Sequence, residues 1–184
     1  GTSRSMKPGR IFLLSGSSGS GKTTTLDRLL ELLQPLTLDC RGILCPPFFT
    51  DDQKTFINIL DVAAGETRRL AEINNDQTTN LATARWKLEP AAVDWGNLIL
   101  QKSTPCDILF LDEMGPLEYD RGEGLVEGFK AVESRAFQLA LVTIRPSLLE
   151  KALQRWPDAK VIQIYRENQP AAINQLYNEA VAAA

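Results

Sequence analysis

The chain contains no histidine. That absence excludes a histidine-based catalytic triad, imidazole general acid–base chemistry and any zinc or iron site that needs an imidazole ligand. Any chemistry must come from carboxylates, lysine, arginine or a borrowed metal ion. Cysteine is scarce too. The three thiols, Cys40, Cys45 and Cys106, are odd in number and form no CxxC pair, so they read as reduced core or strand residues of a cytosolic protein. Long apolar runs are missing: IFLL, DILFL and LALVTI fall far short of the roughly 20 residues that span a bilayer. No secretory signal pattern opens the chain, and a soluble, cytoplasmic protein is expected. A net charge of −3 offers no broad attraction for nucleic acid or anionic lipid. Neither is expected as a partner.

What is present has ordinary globular proportions. With 43% hydrophobic and 23% charged residues, 12 Gly and 10 Pro in 184 residues, the chain is neither disordered nor of low complexity, and it is long enough for one well-packed core. A single domain over residues 6–184 is expected. Residues 1–5, Gly-Thr-Ser-Arg-Ser before Met6, read as a cloning scar.

Along the chain, a short apolar run at 10–14 leads into a Gly/Ser loop and then Leu26, Leu29, Leu30 and Leu33 at helical spacing, stopped by Pro35. Residues 42–88 are richer in strand formers, with two or three short strands near Ile43, 56–60 and 69–71, a polar loop at 74–80 and a further strand at 83–88. Pro90 suits a first helical turn, with Trp95, Leu98 and Ile99 as its buried face. Strands follow at 107–111, 139–144 and 160–165. They alternate with helices marked by Leu125, Val126, Phe129 and Val132, by Leu148, Leu149, Ala152, Leu153 and Trp156, and by Ile173, Leu176, Tyr177, Ala180 and Val181. The alternation predicts an α/β fold, a mostly parallel sheet flanked by helices and interrupted by a β-rich insertion near 42–88.

Gly16-Ser17-Ser18-Gly19-Ser20-Gly21-Lys22-Thr23 fits GxxxxGK[ST] without a mismatch. Such a loop turns successive backbone N–H groups toward phosphate oxygens, and the helix after it adds its positive dipole end. Lys22 is placed to reach the β- and γ-phosphates, Thr23 to ligate Mg²⁺, and Thr24 completes the nucleotide-binding stretch. A flexible linker of the same composition would not be flanked by two apolar elements.

Asp112-Glu113 ends the most apolar strand, the end at which ligands bind in open parallel sheets. The pair reads as a metal-binding carboxylate, Asp112, followed by Glu113, which orients or deprotonates an attacking water. Phosphoryl transfer needs mainly positioning and charge neutralisation, so Mg²⁺, Lys22 and one carboxylate supply most of it. Glu118 reads equally as a helix-start acid or a functional one. Arg145, directly after the strand at 139–144, and Arg121, in a Gly-rich stretch, are the candidate cations for transition-state charge. Phe48, Phe49, Trp95 and Tyr119 are the candidates for stacking on a base.

These segments carry a family resemblance. The phosphate loop, Arg41-Gly42-Ile43 through Pro46-Pro47, Asn58-Ile59-Leu60-Asp61 with Gly65-Glu66 and Arg69-Leu70, Trp95-Gly96-Asn97, and Asp112-Glu113-Met114-Gly115-Pro116-Leu117-Glu118 follow in the order seen in the P-loop nucleoside-triphosphatase family related to human cancer-related nucleoside-triphosphatase. The resemblance implies a RecA-like core and slow, Mg²⁺-dependent hydrolysis of ATP, GTP and other triphosphates to diphosphate and phosphate. Many members carry His-Arg where this chain has Ile144-Arg145, and Gly-Lys-Met where it has Gly115-Pro116-Leu117. The other readings are a nucleotide or nucleoside kinase and a nucleotide-dependent regulatory switch. Arg68-Arg69, the one adjacent basic pair, is too little for a kinase lid, and no NKxD or LSGGQ segment supports a GTPase switch or a transporter ATPase.

Overall fold

The computed structural model describes residues 8–73 and 86–182. The segment read as a cloning scar, the polar loop at 74–80 and the start of the strand expected over 83–88 lie outside the described residues. Nine strands, β1 (Arg10–Ser15), β2 (Cys40–Leu44), β3 (Pro47–Thr50), β4 (Gln53–Asp61), β5 (Thr67–Ile73), β6 (Trp86–Leu88), β7 (Ile108–Leu111), β8 (Leu139–Ile144) and β9 (Lys160–Gln163), form one sheet. Their order is β6-β5-β4-β2-β7-β8-β1-β9, with β3 paired to β4. The described helices are α1 (Lys22–Leu33), α2 (Pro90–Gln101), α3 (Pro116–Arg121), α4 (Glu127–Glu133), α5 (Leu149–Arg155) and α6 (Gln169–Ala182).

From β2 through β9 the pairings are parallel. From β2 outward through β4, β5 and β6 they are antiparallel. The β-rich segment therefore extends the parallel core instead of standing apart from it. It begins at Pro47, because β2 pairs with β7 as a core strand. Gly42 makes that pairing possible: its φ is +106°, and a Cβ there would lie 1.9 Å from the Phe110 carbonyl oxygen. Any side chain would force the two strands apart.

Alternate residues of a strand face opposite sides of the sheet, and the core strands are apolar on both. Ile11, Leu13, Leu109, Leu111, Ala140 and Val142 pack with residues of α2, α4 and α5. Phe12, Leu14, Ile108, Phe110, Leu139 and Leu141 pack with α1 and α6. In α1 the expected stripe of Leu26, Leu29, Leu30 and Leu33 is buried, each leucine contributing about 1.5–3 kcal/mol.

The buried face of α2 differs from the expected one. It consists of Ala92, Val93, Gly96, Ile99 and Leu100, while Leu98 is 52% exposed. The helix presents its small residues because Ile59 and Leu125 press against Gly96. Between β7 and β8 the chain forms two short helices, not one: α3 begins at Pro116, and Leu125 and Val126 precede α4.

Candidate functional site

The site is assembled at the carboxyl ends of the parallel strands, where β8 lies between β1 and β7. After β1 the chain turns through residues 16–21 and enters α1. Gly21 has a φ of +96°, and a Cβ there would lie 1.9 Å from Gln169 Nε2. That close approach reflects a tie between the loop and α6, since Gln169 Nε2 donates to the Ser20 carbonyl at 3.0 Å. The Lys22 ammonium reaches back to donate to the Gly16 carbonyl. Thr25 Oγ1 closes the first turn of α1 on the Gly21 carbonyl at 2.7 Å.

Asp112 is 1% exposed. Its Oδ2 accepts from Thr23 Oγ1 at 2.8 Å and from the Cys45 backbone N–H at 2.9 Å. Its Oδ1 accepts from Thr143 Oγ1 at 2.7 Å. Burial raises its pKa, while these three donors and Lys22 pull it back down. A carboxylate so deeply placed and already fixed by three donors is oriented before any ligand arrives.

Glu113 follows in the left-handed region, φ 68°, a conformation that costs a non-glycine residue on the order of 1 kcal/mol or more and concentrates at functional sites. Its backbone N–H donates to Thr143 Oγ1 at 3.3 Å. Burial, and then the charge of Asp112, push its carboxyl up to about 7, with Lys54, Arg145 and Lys22 opposing. Lys22 is lowered from its ordinary value, first by burial, with Arg145 and Lys54 adding to the effect and Glu113 and Asp112 resisting it.

Of the residues singled out in the sequence, Ser18, Gly19, Gly21, Lys22, Thr23, Thr24, Glu113 and Arg145 line one cleft. Gly16, Ser17 and Ser20 complete the loop, and Asp112 lies beneath the cleft, bonded to Thr23. Arg145, at the end of β8, passes its guanidinium over Gly115. Arg121 is not among the cleft's lining residues; it ends α3 and pairs with Glu123 at 3.1 Å. Glu118 is not an exposed helix-start acid, and it lines not this cleft but an adjoining cavity that shares Glu113 and Arg145 with it. It is 5% exposed, and its carboxylate accepts from the backbone N–H groups of Gly115 at 2.7 Å and Leu125 at 2.8 Å. It pins the turn after β7 to the loop before α4.

Among the stacking candidates, Phe49 borders the cleft. Phe48 packs toward Phe56 with ring centroids 5.6 Å apart, Trp95 lies under the Arg68 guanidinium, and Tyr119 meets Phe129 edge-on at 5.0 Å.

The far wall of the cleft is the β3–β4 hairpin, where Lys54 and Ile57, not singled out in the sequence, stand beside Pro47 and the stacking candidate Phe49. Also not singled out were Thr143 and the Cys45 backbone N–H, which hold Asp112. Thr143 did carry a signal, as the polar residue of the apolar run LALVTI. Lys54 carried none, because only strand pairing brings it to the phosphate loop.

Among the described residues no group of three or more His, Cys, Asp or Glu forms a metal cage. The donor set of Thr23 and Asp112 nevertheless suits Mg²⁺, a hard cation that binds through one or two protein oxygens and takes its other ligands from phosphates and water.

A family model described as NTPase matches residues 11–177. Over 105 residues the chain is 30% identical to a nucleoside-triphosphatase THEP1 of Ignicoccus hospitalis, covering 57% of this chain and 58% of that protein. It is 28% identical over 109 residues to its counterpart from Saccharolobus solfataricus, covering 59% and 61%. The matches thus span about three fifths of these relatives. The fold is similar to the solution structure of a human cancer-related nucleoside triphosphatase, with a TM-score of 0.69, 16% identity and coverage of 96% of this chain and 99% of that one. It is also similar to the crystal structure of THEP1 from Aquifex aeolicus, with a TM-score of 0.61, 16% identity and coverage of 90% and 96%.

Proposed function

Because this chain belongs to the NTPase family, we propose that it is a Mg²⁺-dependent nucleoside-triphosphate phosphohydrolase, releasing phosphate from ATP, GTP and other triphosphates. The observation that carries this reading is the contact of Thr23 Oγ1 with Asp112 Oδ2 at 2.8 Å. It joins the start of the phosphate-loop helix to the acidic end of β7, so one Mg²⁺ held by both would neutralise charge on the β- and γ-phosphates.

The chain's own groups divide the remaining work. The backbone N–H groups of residues 16–21 cradle the phosphates, and Lys22 leaves the Gly16 carbonyl to pair with the β/γ oxygens. Glu113 holds a water in line with the γ-phosphorus. As the water oxygen bonds to phosphorus, the β–γ bridging P–O bond breaks and the water's proton passes to the Glu113 carboxylate. A carboxyl titrating near 7 is suited to take that proton and release it again at neutral pH. Arg145 stabilises the charge that develops on the transferred group.

One aromatic residue at the cleft, Phe49, offers a face without edge-specific donors, which fits broad base tolerance. Residues 6–184 act as a single unit in this account, and the protein works in the cytoplasm. The three thiols are free, and among the described residues no helix is long and apolar enough to cross a membrane. The test is phosphate release from each triphosphate, with and without Mg²⁺ and with and without nucleoside and nucleotide acceptors. Mg²⁺-dependent release to water, abolished in Lys22→Ala, is expected. Turnover only with an acceptor would identify a kinase instead.

A further inference from the structure

The β3–β4 hairpin is built as a fixed wall of the phosphate cleft. Pro46 and Pro47, with restricted φ, lead into it directly after Cys45, whose N–H holds Asp112. The Asn58 N–H donates to the Pro46 carbonyl at 3.0 Å, Pro47 pairs with Ile57, and Phe49 pairs with Lys54. The tip turns through Asp51 and Asp52, both at positive φ, with the Thr50 and Thr55 hydroxyls 3.1 Å apart across it. Behind the wall, Arg69 of β5 stacks on Phe56 at 3.7 Å. Lys54 is thus carried by a braced two-stranded element whose register fixes where its side chain begins.

Lys54 lines the same cleft as Lys22, Glu113 and Arg145. Three cations then converge from three elements: the start of α1, the end of β8 and the hairpin. These three cations face one lining carboxylate, Glu113, with Asp112 beneath the cleft, which leaves an excess of positive charge that a bound triphosphate would neutralise. Two of the three were legible as triphosphate-binding groups. The third, Lys54, belongs neither to the phosphate-loop motif nor to the acidic strand end, and reaches the cleft from the hairpin.

We infer that Lys54 is a further catalytic residue, a second-wall cation carried by the β3–β4 hairpin to the terminal phosphoryl group, where it stabilises the charge of the transition state. The inference rests on the phosphohydrolase reading above. Lys54 contributes little to holding the diphosphate part of the substrate, which the phosphate loop grips. Its influence on both Glu113 and Lys22 is consistent with a position at the γ-phosphate end.

The test compares the wild-type chain with Lys54→Ala, Lys54→Gln and Lys54→Arg, beside Lys22→Ala as the inactive control. Single-turnover hydrolysis is measured together with binding of ADP alone and of ADP with aluminium fluoride. In Lys54→Ala and Lys54→Gln hydrolysis is expected to fall by about 10²-fold, the usual effect of removing one donor to transition-state charge. ADP affinity should stay near that of wild type, the affinity for ADP with aluminium fluoride should fall, and Lys54→Arg should recover most of the activity. Wild-type rates in Lys54→Ala would overturn the inference while leaving the hydrolase reading intact. So would an ADP affinity lost in parallel with activity in both variants and not restored by arginine. A wild-type chain that releases no phosphate from any triphosphate would overturn both.

Discussion

Thr143 Oγ1 donates to Asp112 Oδ1 at 2.7 Å and accepts from the backbone N–H of Glu113 at 3.3 Å, so one hydroxyl on β8 fixes both acids at the end of β7. Thr143→Val keeps the shape and removes the hydroxyl, leaving a buried carboxylate oxygen and an N–H without this partner. A loss of about 1–3 kcal/mol in stability is expected, with kcat falling more than triphosphate affinity, and Thr143→Ser should restore both. Denaturant titration and steady-state kinetics of the two variants check this.

Glu118 separates a structural acid from a catalytic one. Its carboxylate accepts from Gly115 and Leu125 at once, so Glu118→Gln turns one acceptor into an NH₂ facing an N–H. Urea denaturation should show a loss of about 1–3 kcal/mol. Single-turnover hydrolysis by the folded fraction should stay within a few-fold of wild type. A loss of activity of 10²-fold or more at full folding, the scale of a lost catalytic acid or base, would place Glu118 in the chemistry.

The thiols predict an alkaline limit on stability. Burial, then Asp107 and Asp39, push Cys40 up to about 11, and burial and Asp39 push Cys106 up to about 12. In the unfolded chain a thiol titrates at about 8.5, so from there to about pH 11 the unfolded state has released protons that the native state keeps, and stability falls as pH rises. Below pH 8 the effect vanishes. Denaturation midpoints between pH 7 and 10.5 should fall less steeply in a Cys40→Ser, Cys106→Ser double variant than in wild type; parallel curves would remove these two thiols from the account.

Arg145 emerges between the phosphate loop and Glu113 because β8 lies between β1 and β7. Arg145→Ala is expected to lower kcat by at least about 10²-fold with little change in nucleotide affinity, the pattern of an interaction made in the transition state. A fall in affinity matching the fall in kcat would assign Arg145 to ground-state binding.

Much of this arrangement is legible in local sequence, for stated physical reasons. The phosphate loop is contiguous, and its glycines, lysine and threonine announce their chemistry by spacing alone. Asp112 and Glu113 stand out because a nearly all-apolar strand ends in two charges. The groups that escaped are those that strand pairing assembles. Lys54 lies in a run that resembles any half-buried strand, and its approach to Glu113 depends on β4 joining the parallel core through β2. The donor at Cys45 is a backbone N–H, invisible to residue type. Glu118 was ambiguous because its partners, Gly115 and Leu125, are also backbone groups. Leu98 is apolar yet exposed, because the buried face of α2 is centred on Gly96, where Ile59 and Leu125 approach too closely for a side chain to fit without their shifting.

The most direct test of the account is Glu113→Gln, measured by calorimetric triphosphate binding beside single-turnover hydrolysis. If Glu113 positions and deprotonates the water while Asp112 and Thr23 serve Mg²⁺, the variant keeps its affinity and its Mg²⁺ requirement. Its hydrolysis falls by about 10²- to 10⁴-fold, roughly 3 to 5 kcal/mol of barrier. Hydrolysis at the wild-type rate in a folded, nucleotide-binding Glu113→Gln protein would contradict the assignment and remove this carboxylate from the reaction.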